Sequence, residues 1–172
     1  MTRSQLVLKR LRVYSNKLVA YDENFHAGVN IIRGTNGSGK STIADFIYFA
    51  LGGEFDGWKD AASLCTEVVA EIEVPDGRAT LRRSILSRVA PVQVFFGQMD
   101  VALSSAIEMW TQYPLHRSDN NESFSQLLFR LIGFGPKRTV SSNTSSCSGG
   151  NSKRDRILAA DDECDRKNFQ SY

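Results

Sequence analysis

The sequence predicts an α/β domain in which a mixed sheet carries a glycine-rich loop between one strand and one helix. Three observations predict this fold class. A β-branched run ends at the loop Gly34–Thr42, and a dense apolar run follows the loop and stops at Gly52-Gly53. Residues 67–86 alternate apolar and polar positions around Pro75-Asp76-Gly77, as a β-hairpin does. The composition, with 41% hydrophobic and 23% charged residues among 172, is typical of a globular domain.

Three strands are predicted before the glycine loop. Leu6–Tyr14 mixes apolar and basic residues, which indicates a strand with one basic face and a bulge near Lys9-Arg10. Leu18–Phe25 predicts a second strand. Gly28–Arg33 predicts the third, because its β-branched residues are typical of a strand buried on both faces. The predicted order is therefore strand, glycine loop, helix.

Helix and strand patterns continue after the loop. Ile43–Leu51 predicts a buried helix with a glycine stop. Glu67–Val74 and Ala79–Leu86 predict the two strands of the hairpin, and Val92–Phe96 predicts a further strand. Two later segments have helical apolar spacing, Val101–Trp110 and Phe124–Phe134.

The composition changes at Gly135. From there to Tyr172 the chain is rich in serine, glycine and charged residues, with little apolar periodicity. We therefore expect a domain over residues 1–134 and a polar, poorly ordered tail over residues 135–172. A frameshift or a premature end is one source of such a tail.

Charge, cysteine content and hydropathy exclude several classes of protein. Lysine and arginine exceed aspartate and glutamate by 21 − 19 = 2, so bulk charge predicts no nucleic-acid or acidic-membrane partner. Three widely spaced cysteines form no paired zinc-binding pattern and indicate reduced thiols. We find neither a secretion signal nor a run of about 18 apolar residues. We expect a cytoplasmic protein with no membrane partner.

The loop carries the clearest chemical motif in the chain. Gly34-Thr35-Asn36-Gly37-Ser38-Gly39-Lys40-Ser41 fits the phosphate-loop pattern, which arises by chance in roughly one chain of this length per hundred. Glycines let the backbone approach a polyphosphate, and successive N–H groups donate to its oxygens at the helix N-terminus. We assign nucleotide binding to Gly34, Asn36, Gly37, Ser38, Gly39, Lys40, Ser41 and Thr42.

Individual roles follow from the chemistry of the side chains. The Lys40 ammonium is expected between the β- and γ-phosphates, and the Ser41 hydroxyl is expected to bind Mg²⁺, so that Ser41 is the one metal ligand assigned. Thr42 is expected at the α-phosphate. The alternative is a glycine-rich turn with a solvated lysine, although turn chemistry alone does not require Gly-Lys-Ser at a helix start.

The same residues support a family resemblance. Leu8–Asn16, Gly28–Ile32, Gly34–Ile43 and Phe49–Gly53 resemble the N-terminal lobe of SbcC-type and structural-maintenance-of-chromosomes (SMC)-type ATPases, which have ABC-like heads. About the first 85 residues are covered well. The resemblance implies an incomplete ABC-type P-loop NTPase lobe that binds ATP with Mg²⁺. It also implies ATP hydrolysis, a role in DNA repair or DNA defence, and as partners a second ATPase lobe or a head–head dimer and DNA.

Heads of this family also carry a Ser-Gly-Gly signature and acidic Walker B residues. Ser148-Gly149-Gly150 and Ile157–Glu163 look similar, but only ten residues separate Gly150 from Asp161, too few for a signature helix and a buried strand. We interpret both as coincidences and assign no catalytic residue. Gln98 and Tyr14 occupy places where such ATPases use a glutamine and an aromatic residue, and we interpret them as a surface glutamine and a half-buried strand tyrosine.

Two other functions remain open at this point. The first is a non-catalytic, truncated nucleotide-binding or interaction fragment that does not turn over ATP. The second is a small P-loop kinase or GTPase, which lacks support because the chain has no lid-arginine cluster and no Asn-Lys-x-Asp motif.

Overall fold

The structure is a computed structural model that describes residues 5–87, 89–117 and 121–134. Six strands form one sheet in the order β2-β1-β3-β4-β5-β6. Every neighbouring pair in this sheet is antiparallel. The predicted α/β class is confirmed, whereas the predicted mixed sheet is wrong. The strands are β1 Val7–Ser15, β2 Leu18–Asn24, β3 Glu67–Val74, β4 Gly77–Ser84, β5 Val92–Phe95 and β6 Thr111–Tyr113.

Helices cover both faces of the sheet. They are α1 Lys40–Ala50, α2 Asp60–Ser63, α3 Met99–Ser104 and α4 Phe124–Leu131, with a 3-10 turn at Ile107–Met109. On one face α1 packs over β1 and β3, where Phe46 and Phe49 meet Leu11 and Val68. On the same face α4 packs over β3, β4 and β5, and α3 lies on the opposite face beside Trp110. Alternation along each strand therefore supplies an apolar surface to each layer.

The segment Gly28–Arg33 is not a strand of the sheet, contrary to the prediction. The Asn30 side chain closes a local loop, since its Oδ1 accepts from the His26 N–H at 3.1 Å and its Nδ2 donates to the His26 carbonyl at 2.8 Å. Val29 and Ile31 are 80% and 70% exposed. The β-branched run has no strand beside it in the described part of the chain, so β propensity alone does not produce pairing.

Other predicted elements are confirmed with shifted ends. The β3–β4 hairpin pairs Glu67 through Val74 with Ser84 through Gly77, and the predicted bulge in β1 lies between Leu8 and Arg10. Helix α1 begins at Lys40 rather than Ile43. The predicted helix Val101–Trp110 is wrong over its second half, because α3 ends at Ser104 and a 3-10 turn spans Ile107–Met109.

The described residues all belong to one compact unit, Met1–Arg138. The predicted tail, Gly135–Tyr172, lies outside the described residues, as do Ser148–Gly150 and Ile157–Glu163. The domain boundary at residue 134 therefore stays a prediction. Among the helices that the structure describes, none combines the length and the apolar character needed to cross a membrane.

Candidate functional site

The glycine loop between β2 and α1 has a backbone that requires glycine. Gly37 and Gly39 have φ angles of +84° and +83°, in the left-handed region that costs other residues about 1–2 kcal/mol. At Gly34 an added Cβ would meet the Ser38 hydroxyl, which would have to rotate away, so glycine fits the loop best there too. The sequence and the local conformation agree at these three positions.

Lys40 folds back over this loop. Its Nζ donates to the carbonyls of Gly34 at 2.9 Å and Thr35 at 2.7 Å, and the Ser38 N–H donates to the same Thr35 carbonyl at 3.2 Å. These contacts tie the start of the loop to the first residue of α1. The ammonium is thereby fixed at the mouth of the loop, together with its positive charge.

The N-terminus of α1 has backbone donors without side-chain capping. Within the described loop and first turn, Gly39 provides no side-chain cap and no acidic residue is present. The first N–H groups of a helix have no partner inside the helix, and the helix dipole adds partial positive charge there. Ser41 is exposed on this first turn and Thr42 is half-buried. The arrangement suits an anion.

A cleft of about 720 Å³ opens beside the loop. Of the eight residues assigned from the sequence, all but Gly34 line it, so the fold brings these seven predicted residues together. Gly34 does not line the cleft, but its carbonyl accepts a hydrogen bond from the Lys40 Nζ. The remaining lining residues come from β1, β2, α1 and the α2 region: Val13, Ala20, Tyr21, Ile43, Phe46, Lys59, Ala61, Ala62 and Cys65.

Lys59 is a lining residue that the sequence reasoning missed. It precedes α2, in a segment anchored by Trp58, whose ring lies 4.9 Å from that of Phe46 and 5.3 Å from that of Phe49. A single lysine outside any motif gives no sequence signal. The run of aromatic residues from Phe46 to Trp58 was the available clue that this segment packs against α1.

The cleft is cationic and polar at the loop and apolar at its other wall. None of its described lining residues carries a carboxylate. Burial raises the pKa of the Cys65 thiol, and burial followed by the charge of Glu23 raises the pKa of Tyr21, so both stay neutral near pH 7. In the described residues no group of three or more His, Cys, Asp or Glu side chains is placed to hold a metal. A cation here would depend on the Ser41 hydroxyl and on ligand oxygens.

Gln98 and Tyr14 lie away from this cleft lining. Gln98 is exposed at the turn between β5 and α3, and Tyr14 is half-buried on β1. Their exposure matches the surface glutamine and the half-buried strand tyrosine that the sequence predicts, and the lack of a role at a nucleotide stays a prediction.

Comparison with known proteins gives one finding. A family model described as an AAA domain matches residues 5–157. Comparison with curated proteins gave no match. The family match covers most of the chain and includes the glycine loop, the cleft and the sheet described above. The chain therefore belongs to the AAA domain family, the ATPase-like nucleotide-binding domains.

Proposed function

We propose that the chain binds Mg²⁺–ATP through Gly34–Thr42, as the N-terminal lobe of an SbcC/SMC-type ATPase head. The observation that carries the proposal is the loop with two left-handed glycines, Gly37 and Gly39. This loop runs into the uncapped N-terminus of α1 at the wall of a cleft of about 720 Å³. A cleft of this size is typical of sites for cofactor-sized ligands.

Different lining residues bind different parts of the nucleotide in this proposal. Backbone N–H groups of the loop and of the first turn of α1 donate to phosphate oxygens, and Lys40 and Lys59 supply two positive charges. The exposed Ser41 hydroxyl is the protein group available to Mg²⁺, which when bound neutralises charge on the β- and γ-phosphate oxygens. The apolar wall of the cleft, which includes Ala20 and Tyr21, is then available to contact the adenine base.

Calorimetric titration with Mg²⁺–ATP tests the site. We expect Lys40→Ala to weaken binding at least about tenfold, because a charge-assisted contact to phosphate is lost. Lys17→Gln is the matched control, since it removes one positive charge from the β1–β2 turn, outside this cleft. Equal ATP affinity of the folded wild-type and Lys40→Ala proteins would refute the assignment.

Hydrolysis requires more than this cleft provides. The described lining has no carboxylate to orient an attacking water, so we propose that a second lobe or head supplies it. The exposed apolar residues Val29 and Ile31 beside the loop are suited to pairing with a strand from such a partner.

The resemblance to SbcC/SMC-type heads extends the proposal to a role in DNA repair or DNA defence, with DNA as a partner. Addition of duplex DNA should then change the ATP affinity or turnover of the assembled protein.

The lack of a carboxylate in the described lining also favours a second candidate function. This is nucleotide binding without turnover, in which ATP acts as a structural or regulatory ligand. Single-turnover measurements distinguish the two, because only the ATPase converts bound ATP to ADP once the partner is present.

A further inference from the structure

Arg83 is a buried cation in the middle of the sheet. It lies on β4 opposite Val68 of β3, and its side chain is 3% exposed. Ala79 and Leu81 share its face of the strand, which packs against the helices. A buried charge is unfavourable unless it is paired and hydrogen-bonded. The contacts that Arg83 makes must therefore explain its position.

Those contacts are at the C-terminal end of α1. The Arg83 Nη1 donates to the carbonyls of Phe49 at 2.6 Å and Gly53 at 2.7 Å. The guanidinium carbon lies 3.8 Å from the centre of the Phe49 ring. A helix C-terminus carries partial negative charge and unpaired carbonyls, so it stabilises a cation there. Burial lowers the pKa of Arg83, and the charge of Glu54 acts in the opposite direction.

The hydrogen bonding of the Arg83 guanidinium is incomplete, whereas an apolar side chain would bury no unpaired donor. The Nε of Arg83 has no hydrogen-bond partner among the described residues. A side chain such as methionine would fill the space without leaving this buried donor unpaired. What it would lose is the pair of hydrogen bonds that fixes two points of the chain, Phe49 and Gly53, relative to the sheet.

Phe49 and Gly53 belong to the two segments that carry Lys40 and Lys59 to the cleft. Phe49 lies in the last turn of the helix that begins at Lys40, and Gly53 begins the segment that leads to Trp58 and Lys59. Phe49 and Phe55 both pack against Trp58, at 5.3 Å and 4.7 Å between ring centres. One side chain thus holds the helix that carries the glycine loop and the segment that returns Lys59 to the same cleft.

We propose that Arg83 is a positioning residue that fixes Lys59 relative to Lys40 across the nucleotide cleft. The inference rests on the proposed ATP binding at this site. It predicts that Arg83 acts through Lys59, so that the effects of changing the two residues on ATP affinity are coupled. A residue that only stabilises the fold would lower the folded fraction and leave this coupling at zero.

The experiment is a double-mutant cycle on Mg²⁺–ATP affinity, measured by calorimetry on protein shown to be folded by circular dichroism. We expect Arg83→Met and Lys59→Ala each to weaken binding about tenfold. The double variant should bind about as weakly as either single one, rather than about a hundredfold more weakly than wild type. Arg82→Met is the control, because Arg82 pairs with Glu67 on the opposite face of β4. The fold-changes in ATP affinity caused by Arg82→Met and by Lys59→Ala should multiply in the double variant.

A second readout does not need ATP. In a Trp110→Phe background the emission reports Trp58 alone, and we expect acrylamide to quench it more strongly after Arg83→Met but not after Arg82→Met. Arg83→Lys should restore part of the protection, since an ammonium reaches one carbonyl. Unchanged quenching, or independent effects in the cycle, would overturn the inference while wild-type ATP binding stands. Failure of wild-type protein to bind ATP would instead refute the proposed function, and with it the role of Arg83 at a nucleotide site.

Discussion

Single carboxylates connect separate parts of the sheet. Asp22 on β2 accepts from the Arg10 Nε at 2.7 Å and from the Arg12 Nε at 2.8 Å. Glu71, buried on β3, accepts from the Arg78 Nη1 at 2.9 Å and from the Met99 N–H at 2.7 Å. The second contact places a negative charge at the start of α3, where the helix dipole is positive. These residues fix β2 and α3 to the central strands.

Asp22 gives a pH-dependent prediction. Hydrogen bonds from Arg10, and next from Arg12, hold its pKa at about 2 despite partial burial. The ordinary aspartate value is about 3.9, so its ionised form stabilises the fold above about pH 4. This stabilisation is lost as the pH falls from about 4 towards about 2. We expect Asp22→Asn to lower the free energy of unfolding by about 1–2 kcal/mol at pH 7 and to have little effect near pH 2.

Urea unfolding at both pH values measures this difference. Glu23→Gln, the same change at the exposed neighbouring position of β2, is the control and should have a smaller effect at pH 7. A destabilisation by Asp22→Asn that is equally large at pH 2 and pH 7 would contradict the assignment to the ionised carboxylate.

At the scale of elements, turns and local patterns could be predicted from the sequence, whereas the pairing partner of each strand could not. The alternation in residues 67–86 and the turn Pro75-Asp76 before Gly77 specify the hairpin without any tertiary information. The glycines at 37 and 39 likewise specify the loop. Val29–Ile32 reads as a strand by propensity but remains exposed, because pairing depends on a neighbouring strand. The three-residue β6 lies at Thr111–Tyr113, where so short a segment carries no strand pattern of its own and depends on pairing with β5.

Helix α4 offers a prediction at this scale. Ser123 and Gln126 form a capping box, in which the Gln126 N–H donates to the Ser123 Oγ at 3.4 Å and the Ser123 N–H donates to the Gln126 Oε1 at 2.9 Å. Ser123→Ala removes the capping oxygen and should lower the free energy of unfolding by about 1 kcal/mol. Ser123→Thr keeps the oxygen and should cost less. Chemical denaturation of the three proteins checks the order, and equal stability of Ser123→Ala and wild type would contradict the cap.

At the scale of the whole molecule, binding groups and apolar surface occur together. The cleft beside the glycine loop contains two lysines and the start of α1, and the segment before the loop exposes Val29 and Ile31. Exposed apolar side chains of this kind mark contact surfaces when they are contiguous. In the described part of the molecule, the proposed nucleotide site and the proposed partner surface therefore lie side by side.

This arrangement predicts that binding and turnover separate. The purified chain should bind Mg²⁺–ATP yet hydrolyse it far more slowly than the ~1–10³ s⁻¹ of ordinary enzymes. The physical reason is that no described lining residue of the cleft has a carboxylate to orient the attacking water. Steady-state phosphate release measures the rate, and Lys40→Ala gives the background from contaminating ATPases. An ordinary enzyme rate in pure monomer, abolished by Lys40→Ala, would show that the chain completes its own catalytic site.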